Sequence, residues 1–134
     1  MRLLGIDYGE KKIGVAISDE SGKFAFPFAV VDNKSASRVL NEIKKIIDGK
    51  EVVKIVLGQS LTFKLQPNPI MKRIDKFKSF LEERLNIPVE YENEILTTKQ
   101  AERTMSKDEK IHASAAALIL QSHLDRNKNK KETD

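Results

Sequence analysis

A run of apolar residues from Val52 to Leu57, interrupted only by Lys54 and closed by Gly58, constrains this fold more than any other segment. A strand that alternates apolar and polar residues can leave one face in water, whereas a nearly continuous apolar strand must be covered on both. The chain carries helical patterns that can supply the cover. Val39, Ile43, Ile46 and Ile47 recur at helical spacing after Ser35, a good N-cap, and Gly49 offers a stop after about Asp48. Ile70, Ile74, Phe77, Leu81 and Leu85 mark a second amphipathic helix, with Lys72, Arg73, Lys76 and Lys78 as its solvated face.

Around these lie further strands. Arg2 to Tyr8 and Ile13 to Ser18 read as two strands joined by the hairpin-sized Gly9-Glu10-Lys11-Lys12. A third from Lys23 to Val31 contains Pro27, which confines it to a sheet edge or a bulge. Pro88 to Glu92 is a short strand leading into Asn93-Glu94-Ile95-Leu96-Thr97-Thr98, where a threonine can cap a small helix from Lys99 to Met105. The capping box Ser106 to Glu109 starts a last helix that continues through Ala113 to Leu124. This order predicts an α/β fold: a mixed five-stranded sheet with three antiparallel N-terminal strands and helices on both faces. The length of 134 residues suits one core, so a single domain over 1–126 is expected, with 127–134 a disordered basic tail.

Composition narrows the chemistry. The absence of cysteine excludes disulfide frameworks, thiolate zinc sites and thiol nucleophiles, and fits a reducing, cytoplasmic compartment. The first apolar run ends at Asp7, too short for a signal peptide or membrane span, so a soluble, unprocessed protein is expected. A net charge of +4 supports a polyanionic partner only weakly. With six Phe, two Tyr and no Trp, the composition argues against a base-stacking platform, so any contact with nucleic acid is expected to be mainly with its backbone.

Asp7 ends an apolar strand, where a carboxylate is costly to desolvate unless a cation or a hydrogen bond meets it, and Gly9 just beyond allows close approach of a ligand. It can hold a metal, or it can organise the hairpin turn. Glu94 by itself is an ordinary glutamate. If its strand and the Asp7 strand are neighbours, the two carboxylates end about one strand spacing apart and can share a hard cation. His112 near the start of the last helix shares a helix face with Asp108, and that face could complete such a site. His123, close to the basic tail, reads as a surface residue.

Four blocks carry a resemblance: Gly5-Ile-Asp7-Tyr-Gly9-Glu-Lys-Lys12-Ile-Gly14-Val-Ala16, Ile55-Val-Leu-Gly58, Asn93-Glu94-Ile-Leu-Thr97-Thr98 followed by Ala101, and Ala113-Ser-Ala-Ala-Ala-Leu-Ile-Leu-Gln121. In order and spacing they resemble the YqgF/RuvX family, the Holliday-junction-resolvase-like nucleases. The resemblance implies an RNase H-like fold and a nuclease dependent on Mg²⁺ or Mn²⁺. Its expected partners are nucleic acid, as precursor ribosomal RNA trimmed at the 5′ end of pre-16S rRNA or as branched DNA, together with ribosomal precursor particles. A monomer or weak homodimer without a membrane partner is expected. Of the family's three acidic site positions, the first falls on Asp7, the second on Glu94, and the third on His112, where an aspartate is replaced. These three are the expected catalytic residues and, joined by Asp108, the expected metal ligands, while Lys11 and Lys12 at the hairpin are the expected phosphate contacts. Asn93 and Ile95 replace an aspartate and an arginine of the pattern, and Lys12 replaces an arginine, keeping the charge without the planar fork.

Two rivals follow. The altered third ligand fits a catalytically impaired nucleic-acid or ribosome-binding module on the same fold. An Asp-x-Gly hairpin also cradles ATP in actin-like and sugar-kinase-like proteins, but those pair two such domains and this chain has length for one.

Overall fold

The structure, a computed structural model, describes residues 1–61, 69–95 and 110–133, without the side chains of 60, 61, 94, 95, 110 and 128–133. The expected small helix from Lys99 to Met105, the capping box at Ser106 to Glu109, and Asp108 lie outside the described residues.

Three strands, β1 (Arg2–Asp7), β2 (Lys12–Ser18) and β3 (Ala25–Asp32), are followed by helix α1 (Ala36–Lys50), β4 (Val52–Leu61), α2 (Met71–Arg84), β5 (Val89–Ile95) and α3 (Lys110–Thr133). They form one sheet in the order β3-β2-β1-β4-β5. The first three strands pair antiparallel, while β4 runs parallel to both β1 and β5. The predicted architecture is therefore observed, including the edge position of the proline-bearing strand. Val15 pairs with Ala29 and Ala16 with Pro27, so Phe28 is the extra residue of a bulge.

Alternation along the strands separates two apolar layers. Leu4, Ile6, Ile13, Val15, Ile55 and Leu57 point to the α1/α2 face and form the larger core with Val39, Ile43, Ile74, Phe77 and Leu81. Ala16 and Val56 point the other way and meet Ala116, Ile119, Leu120 and Leu124 of α3. The β4 run is thus covered on both sides, as its lack of alternation requires.

Several boundaries differ from expectation, three of them with a clear physical reason. Ser35 does cap α1, accepting from the Arg38 N–H, but the helix runs through Gly49, and Glu51 takes the left-handed conformation (φ 54°) with its N–H donating to Ile47. The chain must reverse at once to enter β4 at Val52, so the cap falls where the strand begins and not at the glycine. β4 continues past Gly58 because β5 pairs with it from Ile55↔Val89 to Leu61↔Ile95. Helix α3 extends to Thr133, through the lysine-rich stretch that composition marks as a disordered tail. Once its sheet-facing half is packed, each added residue gains a helical hydrogen bond without a new nucleation cost.

Candidate metal and phosphate site

Asp7 is the last residue of β1, at the end of the sheet where the parallel strands β4 and β5 also finish. Its neighbours hold it from several sides. Ile6 is fully buried in the larger core, and the Tyr8 ring packs on Phe77 of α2 with centroids 4.8 Å apart. Beyond the turn, the Asn33 side-chain amide donates to the Gly9 carbonyl at 2.9 Å and its backbone N–H to the Lys11 carbonyl at 2.9 Å. Asn33 was not singled out by sequence reasoning. An asparagine just after a strand is a common turn signal, but nothing local shows that it clamps a different turn.

The aspartate could have been a turn organiser, and the chain contains one for comparison. Asp19, after β2, accepts from Ser21 Oγ and from the Lys23 and Phe24 N–H groups, and these bonds push its carboxyl down to about 2. Asp7 behaves in the opposite way. Desolvation pushes its carboxyl up to about 6, and no hydrogen bond or ion pair among the described residues meets it. A half-buried carboxylate in this state favours a cation, because a nearby positive charge offsets the lost hydration.

Helix α3 reaches the same place. Gly14 is the pairing partner of Asp7 in β2, and a Cβ on it would lie 1.9 Å from the His112 carbonyl oxygen. A Cβ on Gly5 would lie 2.7 Å from Leu120 Cβ and 2.9 Å from the Ala116 carbonyl. Side-chain-free positions on the sheet thus seat α3 at van der Waals contact with its own small residues. The first described turn of α3, with half-buried His112, lies over the Asp7 end of the hairpin.

Glu94 requires a correction. It pairs with Ser60 near the end of β5, and β4 lies between β5 and β1, so the Asp7 and Glu94 strands are not neighbours. The α1 crossover delivers β4 beside β1, and β5 can only add outside it. The two backbones are therefore separated by two strand spacings, roughly 9–10 Å, instead of one. Both still lie toward the same end of the sheet. Among the described residues no group of three His, Asp or Glu side chains stands close enough to hold an ion.

The two lysines differ. Lys11 is exposed at the turn, while the Lys12 ammonium pairs with Asp32 across the β2–β3 ladder. That contact lowers the Asp32 carboxyl, first through the hydrogen bond and then through the charge of Lys12.

His123, expected on the surface, is only 2% exposed. Lys54 Nζ and Asn127 Nδ2 lie 3.2 and 3.0 Å from its Nε2, and Glu92 Oε1 lies 3.5 Å from its Nδ1. Glu92 also binds Arg126, and Lys54 binds Glu90 at 2.7 Å. This cluster lies between α3 and the strands β4 and β5, on the other side of β1 from the β2 strand that His112 overlies.

A family model described as "RuvX: Holliday junction resolvase" matches residues 1–126. The chain belongs to the RuvX family. A protein of Thermoanaerobacter pseudethanolicus named "Putative pre-16S rRNA nuclease" is 36% identical over 97% of this chain and all of its own length. A protein of Caldanaerobacter subterraneus with the same name is 39% identical over 96% of this chain and 99% of its own. Among solved structures, Thermus thermophilus RuvC in complex with a Holliday junction substrate superposes with a TM-score of 0.58 at 12% identity, covering 96% of both chains. The fowlpox virus Holliday junction resolvase superposes with a TM-score of 0.58 at 16% identity, covering 94% of this chain and 99% of its own. At those identities the likeness shows the fold, which is the RNase H-like one. Among the described residues no helix is long and apolar enough to cross a membrane.

Proposed function

We propose that this protein is a divalent-metal-dependent phosphodiesterase of the cytoplasm that trims the 5′ end of pre-16S rRNA, with Asp7 and Glu94 as its main oxygen ligands. The observation that carries the reading is the state of Asp7: a desolvated carboxylate, met by no cation among the described residues, at the end of the central strand and beneath the start of α3. When bound, Mg²⁺ or Mn²⁺ would lower the pKa of a water and offset the charge of the phosphate.

The protein's own groups then have separate tasks. Asp7 offers an oxygen ligand already stripped of much of its hydration, and its rigid neighbours keep it in place. His112 stands where the family pattern has an acid; imidazole suits Mn²⁺ better than Mg²⁺, and Asp108 or a water supplies the remaining oxygen. Lys11 steers the phosphate backbone. Lys12 adds positive charge while its pairing with Asp32 stiffens the hairpin. The names of the relatives favour precursor ribosomal RNA, within ribosomal precursor particles, over branched DNA. A monomer or weak homodimer suffices for this chemistry.

The test is incubation with a pre-16S rRNA fragment and a four-way DNA junction under Mg²⁺ and Mn²⁺. Asp7→Asn is expected to lose turnover by at least about 100-fold while retaining RNA binding. His112→Asp is expected to raise activity with Mg²⁺ relative to Mn²⁺. Wild-type protein that cuts neither substrate with either ion sinks the proposal. The second reading, a silent RNA-binding module, would then stand, and it is favoured by histidine at the third acidic position.

A further inference from the structure

Three of the chain's six phenylalanines lie in one exposed row on β3 and its approach: Phe24, Phe26 and Phe28 are 60%, 52% and 42% exposed. Composition alone argues against a stacking platform, but an average over the chain does not register three rings gathered on one edge. Phe26 pairs with Ile17, which lies in the larger core, so its ring stands on the α1/α2 face of the sheet, beyond the edge of α1. Phe28 is on the same side, with Lys50 Nζ from the end of α1 at 5.8 Å from its ring centroid. Large apolar groups left in water at this density mark a contact surface.

We infer that this row is a stacking platform for an unpaired nucleic-acid strand, a reading that rests on the nuclease function proposed above and names the part of the substrate that lies outside the cleavage site. Two residues of strand rise separate Phe24 from Phe26 by about 6.7 Å, roughly twice the 3.4 Å step of stacked bases, which suits one base per ring on an extended strand. Charge agrees. Lys50 lies over one ring and Lys23 is exposed beside another, while Lys34 and Arg38 flank the groove at the far end of β3, where Asp32 and Glu42 also lie. That far end is the one nearest the candidate site, because Val30 pairs with Gly14 and Gly14 with Asp7. A strand stacked along β3 therefore leads toward Asp7 around the sheet edge.

The edge is built to stay open. Pro27 lacks an N–H and Phe28 is bulged, so β3 cannot extend a regular ladder to a second copy of this chain. Its start is held by Gln121 of α3, whose Oε1 accepts from Ala25 N–H at 2.9 Å and whose Nε2 donates to the Lys23 carbonyl at 3.0 Å. The rings are thus presented on a fixed strand, and stacking loses little conformational freedom on binding.

The experiment uses the full chain in EDTA, so that binding is read without cleavage. Fluorescence anisotropy with a labelled twelve-nucleotide oligouridylate should show binding weakened at least tenfold in Phe24→Ala/Phe26→Ala/Phe28→Ala, since each stacked base contributes roughly five- to 150-fold. Circular dichroism should be unchanged, because all three side chains are exposed. As a second measurement, Phe26→Trp places a single tryptophan in a chain that has none, and its fluorescence should be quenched on titration with the oligonucleotide. Equal affinity of the triple variant together with unquenched tryptophan overturns the platform and leaves the nuclease proposal intact. Loss of binding in the triple variant, with wild type that cuts no substrate, supports the platform while the nuclease proposal falls. A wild-type dimer that the triple variant dissolves, with RNA affinity unaltered, identifies the row as a self-association surface and overturns the inference.

Discussion

Helix α3 carries both histidines of the chain, one in its first turn and one near its middle, and they are put to opposite uses. His112 and His123 are separated by eleven residues, close to three helical turns, so both fall on the sheet-facing side. At the first end the helix backbone presses on Gly14 beside an aspartate whose charge has no partner among the described residues. Near the middle of the helix His123 is enclosed by Lys54, Glu90, Glu92 and Arg126, where opposite charges pair. Lys54 and Asn127 both face Nε2, which assigns the ring proton to Nδ1, a buried atom 3.5 Å from Glu92 Oε1 with no hydrogen-bond partner among the described residues. One helix thus joins a place whose charge is uncompensated among the described residues to a place whose charges are paired. Uncompensated charge is a feature of sites that bind a ligand, and compensated charge of sites that anchor structure.

This contrast can be broken most forcefully at Gly14. Gly14→Ala places a methyl group against the His112 carbonyl, so unfolding free energy in urea should fall by about 3 kcal/mol or more, with cation binding lost as α3 lifts. A variant of unchanged stability would show that the helix does not sit where described. At the His123 cluster, Glu92→Ala leaves His123 and Arg126 without their shared partner and should cost about 2 kcal/mol, tempered by the exposure of Arg126. Asp7→Asn should act with the opposite sign. It removes an unfavourable buried charge and should stabilise the metal-free protein by about 1–2 kcal/mol at pH 7, after discount for its partial solvation. The gain should vanish at low pH: with a folded value near 6 above an ordinary 3.8, the penalty is complete above about pH 6 and absent below about pH 4. Thermal melts of wild type and variant across that range decide this.

The smallest effect belongs to His123. Burial first, and then the charge of Lys54, hold its pKa below the ordinary 6.5, so stability tied to the neutral ring is complete above that value and is lost as pH falls through the folded pKa. His123→Gln should remove this acid-side loss, the smallest change of the series, while leaving the Asp7 dependence in place. If both variants flatten the same part of the profile, the surroundings of Asp7 and His123 are not electrically separate.

Much of the fold was legible because periodicity is local. The nearly continuous apolar β4 run announced a strand covered on both faces, Ser35 a helix cap, and Pro27 an edge with a bulge. Asp7 could be picked out as a charged residue at the end of an apolar strand. Its distinction from a turn aspartate could not, because that depends on which N–H groups come within reach, and Asp19 has them while Asp7 meets none among the described residues. His123 was misread for a related reason: the residues that bury it come from β4 and β5, more than thirty positions away along the chain.

What the amino-acid order determined alone is the succession of strands and helices, the two-sided cover of the sheet, and the family blocks that carry Asp7 and Glu94. What only the tertiary structure decided is which of these elements lie side by side: β4 between the two acidic strands, α3 seated on glycines, three phenylalanines left on an open edge. The physical reason is that hydrophobic period and capping act over a few residues, whereas burial, charge compensation and contact arise only when distant segments meet.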